Sequence, residues 1–71
     1  MVNIPKLKGR IVEKEKTIEE LASQIGVDKA TLYRRFNDPS AFTIKEVDSI
    51  VKALDLNLDD IVAIFCAQIV S

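Results

Sequence analysis

The sequence predicts an all-α, compact five-helix domain, and three observations carry the prediction. Apolar residues recur at three- and four-residue spacings while strict alternation of two is absent. Residues able to cap a helix, Thr17, Asp28, Thr43 and Asn57, stand directly ahead of four of these runs. Only two glycines and two prolines interrupt 71 residues that are 48% apolar, which favours long regular elements and supports one core but not two. Residues 1–71 are therefore expected to form a single domain.

The first helix is expected over roughly Asn3 to Glu15, with Ile4, Leu7 and Ile11 on its inner side and Pro5 near its start, where a missing amide donor costs little. Gly9 weakens it and is expected to admit a close neighbour. Lys6, Lys8, Arg10, Lys14 and Lys16 fill much of the remainder, either facing phosphate or simply solvated. Thr17-Ile-Glu-Glu20 has the spacing of a capping box, in which the threonine oxygen and the Glu20 carboxylate satisfy each other's backbone amides. The helix it opens points Leu21, Ala22 and Ile25 inward. Gly26 suits the left-handed conformation that ends a helix in a tight turn, Val27 plugs that turn, and Asp28 caps a third helix running to about Phe36 with Leu32 and Phe36 inward. Asn37-Asp-Pro-Ser40 reads as a turn. Thr43-Ile-Lys-Glu46 repeats the capping box ahead of Val47, Ile50, Val51 and Leu54, and Asn57-Leu-Asp-Asp60 opens the last helix with acids where the helix dipole favours them.

The informative unit is the helix pair at about residues 17–36. Two helices joined so tightly leave the outer face of the second clear of the body, and a helix fits the major groove of DNA. On that face stand Lys29, Ala30, Tyr33 and Arg34, with Thr31 nearer its edge. Lys29 can donate to guanine O6 or N7, Ala30 can touch a thymine methyl, Arg34 can reach a base edge or a phosphate, and Tyr33 can donate to the backbone. Each has a plainer reading: surface charge for Lys29 and Arg34, helix propensity for Ala30, packing for Tyr33. The whole chain is almost neutral at -1, yet residues 1–45 hold nine Lys or Arg against six Asp or Glu, and residues 46–71 hold one against five. A polyanion is attracted to the first part.

Glu20-Leu-Ala22, the turn Ile25-Gly-Val27, Leu32, Arg34 and Phe36-Asn37 are followed by Thr43-Ile-Lys-Glu-Val47 and by Leu54-Asp-Leu-Asn-Leu58-Asp-Asp60. In this order and spacing they resemble the lambda-repressor-like, Cro/C1-type (XRE) family of phage, prophage and bacterial helix-turn-helix regulators, over most of the chain. The resemblance implies a five-helix DNA-binding domain, double-stranded DNA as partner and a sequence-specific transcriptional regulator, with repression as the expected sign. Carried over by position, recognition falls on Lys29, Ala30, Tyr33 and Arg34, with Thr31 a phosphate or base contact. The chain departs from the family at Ile18, where a glutamine that buttresses the reader is usual, and at Arg35, where a large apolar residue is usual. Arg35 is expected to extend towards solvent or phosphate.

The last segment, about residues 58–70, holds more apolar residues than one helix face can bury. Leu58, Ile61, Val62 and Phe65 are assigned to the core, leaving Ile64, Cys66, Ala67, Ile69 and Val70. A two-fold homodimer is the simplest partner assignment, through Ile61, Ile64, Phe65 and Ile69. The alternatives are a more fully wrapped core, a regulatory protein partner or shallow membrane contact. An interaction module that keeps the scaffold and binds a protein through this segment is the rival to a DNA regulator.

Other function classes lose their chemistry. The sequence has no histidine and one cysteine, Cys66, so an internal disulfide is excluded and a catalytic thiol lacks a base. Glu19-Glu20 and Asp59-Asp60 are adjacent rather than convergent, and phosphate loops and paired cysteine ligands are missing. No catalytic residue, metal or cofactor is expected. The apolar tract from Ile61 to Val70 is far short of the roughly 20 residues a bilayer requires, and a cytoplasmic protein is expected.

Overall fold

Four of the five α-helices described start where a side chain takes over an amide that the helix leaves unpaired. The computed structural model describes residues 2–66, which form α1 (Ile4–Glu13), α2 (Ile18–Ile25), α3 (Lys29–Asn37), a 3-10 turn (Pro39–Ala41), α4 (Ile44–Leu54) and α5 (Leu58–Phe65). No strand occurs among the described residues. Asn3 Oδ1 accepts from the Lys6 amide at 3.1 Å to open α1. Reciprocal capping boxes open α2 (Thr17 with Glu20), α4 (Thr43 with Glu46) and α5 (Asn57 with Asp60). The expected cap at Asp28 is corrected: its backbone is extended (φ -69°, ψ 152°), but its side chain makes no capping bond.

Three helices end alike. In α2 the Gly26 and Val27 amides return to the Ser23 and Ala22 carbonyls, with Gly26 left-handed at φ 79°. The same pair of bonds ends α1 through Glu15 and Lys16, and α4 through Asp55 and Leu56. Glu15 and Asp55 are also left-handed, at φ 57° and 51°. This corrects the first helix, which stops at Glu13 and turns over Glu15. The turn frees Lys16 to donate from Nζ to the Gln24 side chain and, at 2.9 Å, to the Ala53 carbonyl, one of the oxygens that the end of α4 leaves without a helical donor.

The core is apolar throughout: Leu7, Ile11, Leu21, Ala22, Leu32, Phe36, Ile50, Leu54, Leu56 and Ile64 are buried, and no polar residue is buried among them. The inward stripes expected for the first four helices supply most of it. α2 lies at the centre, packed on both α3 and α4. α1 and α5 run antiparallel, tied at one end by the Asn3 amide donating to the Ile64 carbonyl at 2.6 Å and at the other by Arg10 Nε donating to Asp60 Oδ1 at 2.9 Å.

Those ties correct the expected face of α5. Leu58, assigned to the core, is 74% exposed, and Ile64, assigned to a partner surface, is fully buried. At roughly 100° per residue, a face shared by Asp60, Ile61, Ile64 and Phe65 is turned about 80° from one shared by Leu58, Ile61, Val62 and Phe65. The Arg10 pair on one flank holds the helix at that rotation. Gly9 also departs from expectation, since a Cβ built on it would meet nothing within 4 Å and no neighbour uses the space.

The two glycines therefore respond oppositely to alanine. We expect G9A to stabilise the fold by about 1 kcal/mol through helix propensity, and G26A to destabilise it by about 1 kcal/mol through left-handed strain. Urea denaturation of both variants checks this, and a shift of the same sign in both would refute it.

Acid sensitivity follows from two carboxylates. The Arg10 hydrogen bond holds the Asp60 carboxyl below its ordinary value, outweighing the opposing effect of burial. Arg35 does the same for Glu46, with the Thr43 amide adding to it. A depressed folded-state pKa contributes stability that is present above the ordinary carboxylate range and lost as the pH falls through the folded value. E46Q and D60N should thus lower the melting temperature at pH 7, with the gap to wild type closing by about pH 2. A gap that stays constant with pH would show that the ion pairs are not its source.

Candidate nucleic-acid interface

The direction of α3 is set by the turn before it. Ala22, only 2% exposed, leaves room for α3 to cross α2, and its carbonyl takes the Val27 amide at 3.0 Å. Ile25 and Val27 pack against the core from either side of Gly26. With Leu32 and Phe36 buried, the opposite side of a helix with 3.6 residues per turn must face outward. Ala30, Tyr33 and Arg34 are exposed there, Thr31 is half-buried at the edge, and Lys29, on the Leu32 side, is exposed at the first position of the helix, next to the start of α2. Five of the six residues expected to meet DNA are thus accessible.

Arg35, the sixth, is held elsewhere. Its Nε donates to Glu46 Oε1 at 3.0 Å and its Nη2 to Glu46 Oε2 at 3.3 Å, a two-pronged pair with both side chains mostly covered. That hydrogen bond keeps the Arg35 guanidinium firmly charged. The expectation that Arg35 extends to solvent or phosphate is corrected: it fastens α3 to the first turn of α4. Phe36 supplies the packing in its place, in tilted contact with Phe42 at 6.4 Å between ring centroids. Ile18 packs against the core beside Ile11 rather than presenting a polar group outward.

Two further contacts shape the outer face. Arg34 Nη2 donates to Thr31 Oγ1 at 3.1 Å, one turn back along the helix. Lys29 Nζ stands 3.9 Å from Glu19 Oε2, on the first turn of α2. Three basic residues of α1 and the turn after it are engaged within the fold: Arg10 with Asp60 and Glu13, Lys16 with Gln24 and Ala53, and Lys8 over the Phe36 ring at 5.8 Å from its centroid. Glu19, Glu46 and the role of Lys16 were missed by sequence reasoning. Glu46 had a local explanation as a capping residue, and nothing in that pattern reveals that its carboxylate also serves Arg35.

Of the proposed partner surface, Ile61 and Phe65 are half-buried, Ile64 is enclosed, and Ile69 lies outside the described residues. Among the described residues no cluster of His, Cys, Asp or Glu could hold a metal ion, and no helix is long and apolar enough to cross a membrane.

Comparison with known families places this geometry. A family model described as helix-turn-helix matches residues 7–61, from the first core leucine to α5. No curated protein and no solved structure gives a significant match. The match covers more than half of the chain and both helices of the α2–α3 pair, and the chain belongs to the Cro/C1-type helix-turn-helix family of DNA-binding regulators.

Proposed function

We propose that this chain is a sequence-specific repressor that binds double-stranded DNA in the cytoplasm as a homodimer and reads the major groove with α3. The observation that carries the reading is the division of α3: Leu32 and Phe36 are sealed in the core, Ala30, Tyr33 and Arg34 are exposed on the other side, and Lys29 is exposed at the start of the helix. A helix about 10–12 Å across enters a groove about 12 Å wide. Lys29 and Ala30 lie in the first turn and meet the base edges, Lys29 as a donor to guanine and Ala30 as an apolar contact to thymine. Arg34, one turn later, reaches a base edge or phosphate. Thr31 and Tyr33 contribute hydroxyls at the flanks.

A single short helix makes few contacts, and a two-fold dimer doubles them by setting two readers about 34 Å apart. The outer side of α5 supplies an apolar surface for this purpose. Leu58 is 74% exposed, with Val62 and Phe65 half-buried on the same side and Ile61 at its border. Repression follows from occupying an operator, which this arrangement can do without a further activity.

Selection from a duplex library randomised over about two helical turns tests the DNA reading. Wild type should enrich one sequence, and K29A and R34A should each weaken binding to it by roughly tenfold, in line with about 1–3 kcal/mol per good base contact. Absence of enrichment and of salt-sensitive retention on any duplex would reject the reading. For the dimer, L58D should shift wild-type self-association towards monomer in sedimentation without unfolding the chain, because Leu58 contributes little to the core. Unchanged association would remove α5 from the interface.

A further inference from the structure

We propose that Glu19 is a positioning residue that sets how sharply this protein separates its operator from other DNA, acting through Lys29. The inference rests on α3 being the groove-reading helix and adds to it a carboxylate that takes no part in the capping box of α2. Thr17 takes its reciprocal cap from Glu20, so Glu19 is spare at the start of α2. The turn at Gly26 brings it to 3.9 Å from Lys29 Nζ, and both side chains are more than half exposed. An exposed pair of this kind adds little to stability.

Its consequence appears on docking. A lysine ammonium on a flexible stem has two destinations at a DNA surface, a base edge or a phosphate oxygen. A carboxylate beside it repels phosphate, and the pair strengthens as the groove displaces water. Lys29 is thereby held over the base edges and kept from the backbone. Non-specific binding depends almost wholly on phosphate contacts, so it is weakened, whereas the base contact is retained. Arg34 is arranged differently: its partner is the neutral Thr31 hydroxyl at 3.1 Å, which orients the guanidinium without opposing phosphate. The face thus carries one cation reserved for bases and one free to supply affinity.

The test compares wild type, E19Q, K29M and the double variant on two probes, the duplex enriched from the library and a scrambled duplex of equal composition, across a salt series. D55N, an equal change of charge on an exposed residue between α4 and α5, is the control. E19Q should bind the scrambled duplex several-fold more tightly at low salt and steepen its salt dependence by roughly 0.9 per protomer, the signature of one added phosphate contact. The ratio of enriched to scrambled affinity should fall in E19Q and not in D55N. In the K29M background E19Q should change nothing further. Equal effects of E19Q and D55N, or an E19Q effect that survives K29M, would reduce Glu19 to bulk charge and overturn this inference while leaving groove reading intact. Failure of wild type to enrich any sequence would overturn both.

Discussion

The left-handed backbone at Gly26 is the constraint from which the rest of the binding surface follows. Because the Val27 amide is committed to the Ala22 carbonyl, the chain leaves α2 in one direction only, and α3 begins two residues later. That direction brings Leu32 and Phe36 onto the core. Once those two are buried, the helical repeat leaves Ala30, Tyr33 and Arg34 no inward option, while Lys29, on the Leu32 side, is exposed because it begins the helix. The outward face of α3 is thus a product of one backbone angle and two apolar side chains. Since α2 also packs on α4, any movement of α2 would be felt across the molecule.

The same helix ending recurs at Glu15 and Asp55, where no glycine relieves it. A left-handed conformation costs an ordinary residue about 1–2 kcal/mol, so both positions need an offsetting gain. Each turn delivers the following residue to a place it could not otherwise reach. Lys16 arrives at the exposed end of α4 and takes the Ala53 carbonyl, while Leu56 arrives in the core at 7% exposure. The chain tolerates local strain where a long-range contact is the return. At Gly26, where the turn leads into α3, it uses the residue that carries no such strain.

What could be read from the sequence was what is local. Capping boxes at Thr17 and Thr43, the cap at Asn57 and the turn at Gly26 involve partners three to five residues apart, and each appears where the spacing predicts it. The inner faces of α1 to α4 follow from periodicity, because a stripe of apolar residues has only one core to meet. Leu56 and Phe42 lie in connections with no period, so their packing left no trace in the pattern. The rotation of α5 was hidden for a different reason: it is set by Arg10 and Asp60, fifty residues apart, and the residues of α5 alone fit two faces nearly equally well. Arg35 misled because its place in the family pattern is apolar, and a charged residue at an apolar place suggests escape to solvent. Its partner, Glu46, was already explained by a cap, and one carboxylate was not expected to serve both.

These hidden pairs explain how a chain of net charge -1 can carry a cationic surface on α3. Arg10, Lys16 and Arg35 are consumed by contacts that hold helices together, and Lys52 is paired along α4 with Asp48. Charge that is spent within the fold does not attract a polyanion at a distance, so overall composition understates how local the attraction is. Among the described residues Arg34 is the one cation of α3 with no carboxylate within ion-pair distance, and Lys29 has its carboxylate at the limit of that range. The free positive charge of α3 is therefore a small, directional patch instead of a broad basic surface. Such a patch gives weak general attraction; under the proposed function, the burden of affinity then falls on base contacts and on a second copy of the reader. A near-neutral chain is, on this account, what a reader needs when avoiding the wrong sequences matters as much as binding the right one.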